Sequence, residues 1–240
     1  MGAGRAAPLP SGVVTLLFTD IEGSTRLLQE LGDAYGEVLD EHHRLLREVW
    51  TAHDGVEIDT EGDAFFVAFA SVASAIAAAA TAQERLRENA WPHGRPVRVR
   101  MALHTGEPQQ HDGTYWGIDV HYAARLCAAA HGGQVLLSAQ TRGLAPDAPV
   151  DDLGEHALKD FTSPRTISHL VIDGRHSSEF PAPRSLEYTR TNLPSIATPL
   201  LGRETELAAL THALTETPAR LVTLIGAGGS GKTRLAIACG

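Results

Sequence analysis

Cysteine is scarce in this chain of 240 residues: there are two, Cys127 and Cys239. Both stand in apolar helical patterns, so a disulfide framework is not what stabilises the fold, and a reducing compartment such as the cytoplasm fits. No window approaches the ~18 uninterrupted apolar residues of a membrane-spanning helix. Met1 to Pro10 carries Arg5 but no apolar stretch, so it does not read as a signal peptide; residues 1–10 read as a short disordered tail. Positive charge is also in deficit. Lys and Arg total 20 against 29 Asp and Glu, a formal net charge of −9, which argues against binding nucleic acid or an anionic membrane through bulk charge. An anionic ligand remains compatible, because a metal in an acidic pocket reverses the local sign. What is present is ordinary globular composition, 43% hydrophobic and 20% charged. The length suffices for one well-buried domain and part of another.

The pattern along the chain is an interleaving of strands and helices. Val13 to Phe18 is an apolar run of β-formers that ends at Thr19-Asp20, which predicts a buried strand. Glu22-Gly23-Ser24-Thr25 opens a helix, with Ser24 or Thr25 as its cap. Val38, His42, Leu45, Leu46, Val49 and Trp50 recur at helical spacing, and Asp54-Gly55 supplies a left-handed exit. Val56–Thr60 and Ala64–Phe69 flank Glu61-Gly62-Asp63 as a hairpin. Ser71 caps an alanine-rich helix reaching about Glu88. Val97–His104 and Gln134–Leu137 are strands, Gly117–Ala130 is a helix, and Ser138 caps a short helix. Val150–Leu158 and Thr166–Ile172 form a terminal hairpin. This order predicts an α+β fold, a mixed sheet with helices covering one side. It occupies residues 11–173. Proline-rich polar sequence over 174–199 reads as a linker, and a new unit starts near Leu200.

Two acids stand out. Asp20 follows an apolar strand and Asp63 sits in the tight turn of a hairpin. Taken singly, one is a helix cap and the other a turn former. If their strands are neighbours, both carboxylates converge, and converging carboxylates repel unless a cation lies between them. Magnesium, which takes one or two carboxylates plus phosphate oxygens, suits such a pair.

The surrounding motifs carry a resemblance. Phe18-Thr19-Asp20-Ile21-Glu22-Gly23-Ser24-Thr25 resembles the first metal motif of the class III adenylyl and guanylyl cyclases. Gly62-Asp63 resembles their second metal site, Arg100 to Gly106 the strand after the central helix, and Gly117 to Arg125 the helix that carries the transition-state residues. The resemblance implies the class III cyclase fold, with a ferredoxin-like mixed sheet, and a reaction in which the ribose 3′-hydroxyl of ATP or GTP attacks the α-phosphorus and expels pyrophosphate, with two Mg2+ or Mn2+ at the site. It implies that Asp20, Asp63 and the Ile21 carbonyl bind metal. The amides of Glu22, Gly23, Ser24 and Thr25, at a helix start, would cradle phosphate. Arg125 would stabilise charge on the α-phosphate, and Arg100 and Lys159 would reach the outer phosphates. It also implies a head-to-tail homodimer with shared sites and no activity in the monomer, since metal acids and arginine come from opposite protomers in the family.

Three positions depart from the pattern. Asp59 stands where adenylyl cyclases carry a purine-reading lysine, and Thr114 where they carry its aspartate partner. A carboxylate can accept from the guanine N1 and N2 donors, so the base is adenine, guanine or either. His121 stands in place of the ribose-orienting asparagine, four residues before Arg125. These departures keep open a second reading, a catalytically degenerate nucleotide-binding or dimerisation module of a signalling or transcription regulator.

Downstream, Leu221–Ile225 reads as a strand leading into Gly226-Ala227-Gly228-Gly229-Ser230-Gly231-Lys232-Thr233, the phosphate-binding loop pattern. Gly226 and Gly231 shape the loop, Lys232 would reach the β- and γ-phosphates and Thr233 would hold magnesium. With Leu200 to Glu204, residues 200–240 resemble the beginning of the regulatory ATPases fused to bacterial cyclase domains. Such proteins often continue into helical repeats and a DNA-binding helix-turn-helix; this stretch by itself offers no nucleic-acid surface.

Overall fold

The computed structural model describes residues 8–185, 202–216, 221–227 and 229–239. The organising element is β1 (Val14–Ile21), whose residues are buried almost without interruption on both faces. A strand of this kind has to lie inside a sheet covered on both sides. In chain order it is followed by α1 (Ser24–Leu31), α2 (Tyr35–Ala52), β2 (Val56–Glu61), β3 (Ala64–Phe69), α3 (Val72–Glu88) and β4 (Val99–Gly106). Then come β5 (Gln109–His111), β6 (Thr114–Trp116), α4 (Ile118–Ala129), β7 (Val135–Ser138), α5 (Ala139–Leu144), β8 (Val150–His156) and β9 (Arg165–Leu170).

Seven strands form one sheet in the order β2-β3-β1-β4-β7-β9-β8, and β5 and β6 form a separate hairpin. The β4–β7 pair is parallel, the connection running through α4, and the other pairs are antiparallel. Side chains alternate across each strand. Leu17, Ile21, Val67, Phe69, Met101 and Leu103 therefore share one face, packed on Leu45, Trp50 and the buried alanines of α2 and α3. Leu16, Phe66, Ala102 and Leu136 point to the other face, where they meet Tyr115, Tyr122, Ala123 and Leu126. The expectation of helices on one side of the sheet is thus corrected: α4 lies opposite α2 and α3. The contiguous apolar runs of β1 and β4 are the reason, because each exposes an apolar row on both faces. Full burial of a side chain such as Trp50, Phe65 or Phe69 stabilises by about 1.5–3 kcal/mol.

Local signals set most boundaries. Ser71 Oγ accepts from the Ser74 N–H at 3.3 Å, and Ser138 Oγ from the Thr141 N–H at 3.2 Å, so both expected caps form. α2 buries the six residues its spacing picked out and ends before Asp54 at φ +58°. Gly55 follows, and a Cβ there would lie 2.8 Å from the Phe69 ring. The cap expected at Ser24 or Thr25 does not form. Gly23, at φ +73°, precedes the first turn of α1 without a side-chain cap.

The chain divides into two compact units, residues 1–188 and 189–240. Of the expected tail, residues 1–7 lie outside the described residues. Its end is docked: Leu9 packs near Phe66, and the Tyr115 hydroxyl donates to the Pro10 carbonyl at 2.6 Å. The segment read as a linker is described as far as Ser185, and that part lies against the first unit. The Arg184 N–H donates to the Ala129 carbonyl at 2.8 Å, and His131 Nε2 bonds to the Ala182 carbonyl at 2.9 Å. Residues 186–201 lie outside the described residues.

In the second unit the described elements are α6 (Glu204–Thr215) and α7 (Lys232–Cys239). The strand expected at Leu221–Ile225 is not formed. A strand requires a hydrogen-bonding neighbour, and the described residues of this unit supply none. Leu221 and Ile225 are accordingly 83% and 92% exposed. The loop leads into α7 at Lys232, whose ammonium donates to the Gly226 and Ala227 carbonyls at 2.8 and 2.7 Å. Gly231 takes φ +82°, and Thr233 is exposed on the first turn of α7.

Candidate active site

The acid pair is built by strand register. β1 lies between β3 and β4, with Thr19 opposite Phe65 on one side and Asp20 opposite Arg100 on the other. The stacked rings of Phe18 and Phe66, 4.4 Å apart at their centroids, hold the end of β1 against β3 just before Asp20. Continuing the register brings the Gly62-Asp63 turn beside Ile21, and Asp63 Oδ2 accepts from the Ile21 N–H at 2.9 Å. Burial, and then the negative charge of Asp20, push the Asp63 carboxyl above the ordinary aspartate range, against the hydrogen bonds it accepts. The two expected metal acids thus flank one residue, Ile21, which follows Asp20 in the chain and donates its amide to Asp63. Tyr35, at the start of α2, is part of the same field: its hydroxyl is raised by burial and by the charges of Asp63 and Asp20. His43 Nε2 bonds to the Gly62 carbonyl at 2.8 Å and fixes the turn from the side of α2.

Two carboxylates sharing a site in this way suit a hard divalent cation. Among the described residues no group of three or more His, Cys, Asp or Glu stands together. Two carboxylates leave coordination positions that main-chain and substrate oxygens would complete. Arg100 meets Asp20 as a direct cross-strand pair. Its Nε donates to Asp20 Oδ2 at 2.8 Å and its terminal nitrogen closes on the same oxygen. The Arg100 main chain lies against α4, whose Cys127 Sγ donates to the Arg100 carbonyl at 3.6 Å; burial pushes that thiol up to about 12.

The expected phosphate cradle is smaller than four amides. The Glu22 N–H donates to the Arg98 carbonyl at 2.9 Å, which continues the β1–β4 ladder, so the amides of Gly23, Ser24 and Thr25 remain for an anion. The Glu22 carboxylate pairs with Arg184 from the segment after β9 and lies 3.8 Å from His131. Beside it is a cavity of about 320 Å³ lined in part by Gly23, Arg26, Arg95 and Arg98.

Among the described residues, none of Arg125, Lys159, His121, Asp59 and Thr114 bonds to Asp20 or Asp63 within one chain. Arg125 is on α4, and its Nε donates to Asp160 Oδ2 at 2.9 Å. Lys159 is exposed next to that aspartate. His121 is exposed one turn before Arg125. Asp59 is exposed on β2, its Oδ1 accepting from the Thr60 N–H at 2.9 Å. Thr114 is exposed at the start of β6, opposite His111.

Sequence reasoning missed a buried polar chain under α4. His104, 2% exposed, bonds through Nε2 to Asp119 at 3.1 Å and through Nδ1 to the Ser138 hydroxyl at 2.9 Å. The signal available was Asp119 in the first turn of a helix that follows a strand bearing a histidine on its inner face. A strand histidine by itself reads as packing.

A doubly covered mixed sheet carries one acid at the end of its central strand and a second in the neighbouring hairpin turn, followed at once by a helix start, an arrangement suited to a divalent cation and phosphate. The comparisons name the family. The model of the adenylate and guanylate cyclase catalytic domain matches residues 8–167. An uncharacterized protein of Mycobacterium tuberculosis is 34% identical over 207 residues, covering 83% of this chain and 70% of its own. The adenylate cyclase of Podospora anserina is 32% identical over 156 residues, 55% of this chain and 7% of that much longer protein. A Trypanosoma brucei adenylate cyclase, solved in its monomeric state, superposes with a TM-score of 0.68 at 27% identity over 76% of this chain and 98% of its own. The chain belongs to the adenylate and guanylate cyclase catalytic-domain family, and its first unit is a nucleotide cyclase domain.

Proposed function

We propose that the first unit converts ATP or GTP to the 3′,5′-cyclic nucleotide and pyrophosphate, for signalling in the cytoplasm. The observation that carries this reading is the convergence of Asp20 and Asp63 on Ile21, which follows Asp20 in the chain and donates its amide to Asp63, immediately before the start of a helix. Asp20, Asp63 and the Ile21 carbonyl would hold two Mg2+ or Mn2+, which when bound lower the pKa of the attacking hydroxyl and neutralise the leaving pyrophosphate. The chain's own groups then do the following. The amides of Gly23 to Thr25 orient phosphate oxygens at the positive end of α1. Arg100 moves from Asp20 to the outer phosphates, with Lys159 as a second cation. Arg125 meets charge developing on the α-phosphate, and His121 orients the ribose by a hydrogen bond. Asp59 and Thr114 line the base and do not reproduce the adenine-reading lysine–aspartate pair.

Arg125 bonds to Asp160 within its own chain and to neither metal acid. This supports a head-to-tail homodimer in which each site takes its acids from one protomer and its arginine from the partner. Complementation tests it. Asp20→Ala and Arg125→Ala chains, each inactive alone, should regain cyclic-nucleotide formation when mixed, because one site of the mixed dimer is intact. Mixtures as inactive as the separate variants, with heterodimers verified, would refute the shared site.

Residues 200–240 are proposed as the beginning of a nucleotide-binding ATPase unit. Lys232, now on the Gly226 and Ala227 carbonyls, would transfer to a bound phosphate, and Thr233 would hold its magnesium.

A further inference from the structure

We infer that Asp119 and His104 form a positioning clamp that sets the helix bearing Arg125 on the sheet bearing the acids; this rests on the cyclase reading above. Asp119 lies in the first turn of α4. Its Oδ1 bonds to His104 Nε2 at 3.1 Å, and its Oδ2 accepts from the Glu107 N–H at 3.1 Å. Both partners belong to β4 or the residue just after it. The fit is close: a Cβ on Gly106 would stand 2.5 Å from the Asp119 carboxyl carbon, so Gly106 makes the space the carboxylate occupies.

The polar chain continues behind the histidine. His104 Nδ1 meets the Ser138 hydroxyl at 2.9 Å, and that oxygen lies 3.1 Å from the Thr141 hydroxyl. Thr141 donates to the Leu103 carbonyl at 3.2 Å and meets the Thr105 hydroxyl at 3.0 Å. Thr105 in turn meets the Thr15 hydroxyl of β1 at 3.0 Å. One hydrogen-bonded run therefore reaches from β1, whose far end carries Asp20, through Thr105 to Thr141, and it touches the Ser138–His104–Asp119 run where the Ser138 and Thr141 oxygens meet. The carboxylate of Asp119 can only accept, which makes Nε2 the protonated nitrogen and Nδ1 an acceptor from Ser138. Burial holds the ring neutral, more strongly than Asp119 favours its charged form. The Tyr122 ring packs edge-on against the imidazole at 4.6 Å, which adds an apolar hold one turn on.

None of these groups reaches the nucleotide; they act through α4. His121 and Arg125 follow Asp119 on the same helix, so a loosened first turn displaces both. Because displacements near 1 Å cost on the order of 10²-fold in rate, the clamp is a determinant of turnover and not of nucleotide affinity.

The test uses the full 240-residue chain. Asp119→Ala and Gly106→Ala should each lower kcat about 10–100-fold with KM for the nucleotide changed less than threefold, and His104→Gln, which can donate to Asp119 and accept from Ser138, should recover most of the loss seen in His104→Ala. A kcat in Asp119→Ala within threefold of the unaltered chain, or a loss carried by KM instead of kcat, would overturn the proposal. Hydrogen exchange gives a readout independent of turnover: the amides of α4 should exchange at least tenfold faster in Asp119→Ala while those of α2 and α3 stay unchanged. Unchanged α4 exchange would overturn the clamp even if the wild-type chain formed no cyclic product, an outcome that by itself would count against the cyclase reading.

Discussion

Replacing Arg100 by methionine should tighten metal binding in the absence of nucleotide. Arg100 and Asp20 are direct cross-strand partners, with Nε 2.8 Å from Oδ2 and side chains only 22% and 29% exposed. At that separation and an effective dielectric of about 20, the gross Coulomb attraction is about 6 kcal/mol. Desolvation offsets most of it, leaving a net value of about 1.5–3 kcal/mol, typical of a hydrogen bond to a charged group. A cation binding Asp20 has to displace the guanidinium and forgo that amount. Removing the competitor, while keeping an apolar stem of similar length, should therefore raise Mn2+ affinity about 10–100-fold. Titration of free Mn2+ by electron paramagnetic resonance reads this directly. A non-cyclising ATP analogue should show the opposite effect, bound at least tenfold more weakly by the variant, because Arg100 is the proposed partner of the outer phosphates. Mn2+ affinity that is unchanged or lower in Arg100→Met would refute the argument.

Other outcomes follow from the same geometry. Asp63→Asn keeps an acceptor for the Ile21 amide and removes the repulsion with Asp20, so it should raise the melting temperature of the metal-free protein, by about 0.5–2 kcal/mol of stability, while abolishing Mn2+ binding. His42 is fully buried, makes no hydrogen bond at either nitrogen and is pushed down to about 3 by burial and by His43. The unfolded chain then binds a proton that the folded one does not, so stability is fully present above pH 6.5 and is lost as pH falls from there toward 3, at about 1.4 kcal/mol per pH unit. His42→Leu should flatten that limb of a urea-denaturation series, less any share from His104 and His169, which burial lowers in the same direction. Gly55→Ala forces a methyl to within 2.8 Å of Phe69 and should cost about 1–3 kcal/mol, read as a lower urea midpoint with unchanged slope.

What the sequence disclosed was what local chemistry dictates. The run from Val14, the Gly62-Asp63 turn and the caps at Ser71 and Ser138 each encode their element within a few residues, and the acid pair followed once neighbouring strands were assumed. The cover on both faces of the sheet was less legible, because α4 is short and its alanines give little contrast between faces. Long-range partners were not legible at all. Arg100 opposite Asp20, Asp160 on Arg125 and Arg184 on Glu22 are 80, 35 and 162 residues apart, and only register and the path of the chain bring them together. The Glu22 amide read as a phosphate donor for the same reason: its partner, the Arg98 carbonyl, lies just before β4, 76 residues on. At Leu221–Ile225 the apolar run was strand-like, but a strand also needs a neighbour, and no five-residue window states whether one is present.

The central claim is that Asp20 and Asp63 form a metal-dependent cyclising site. The most direct measurement is cyclic-nucleotide formation by the purified dimer with Mn2+, supplying ATP and GTP in separate reactions beside an Asp20→Ala control. Product from at least one nucleotide, dependent on Mn2+ and absent in the control, is the predicted result, and it also identifies the base. No product from either nucleotide, with a verified dimer and bound nucleotide, would contradict the claim and leave the domain a nucleotide-binding regulatory module.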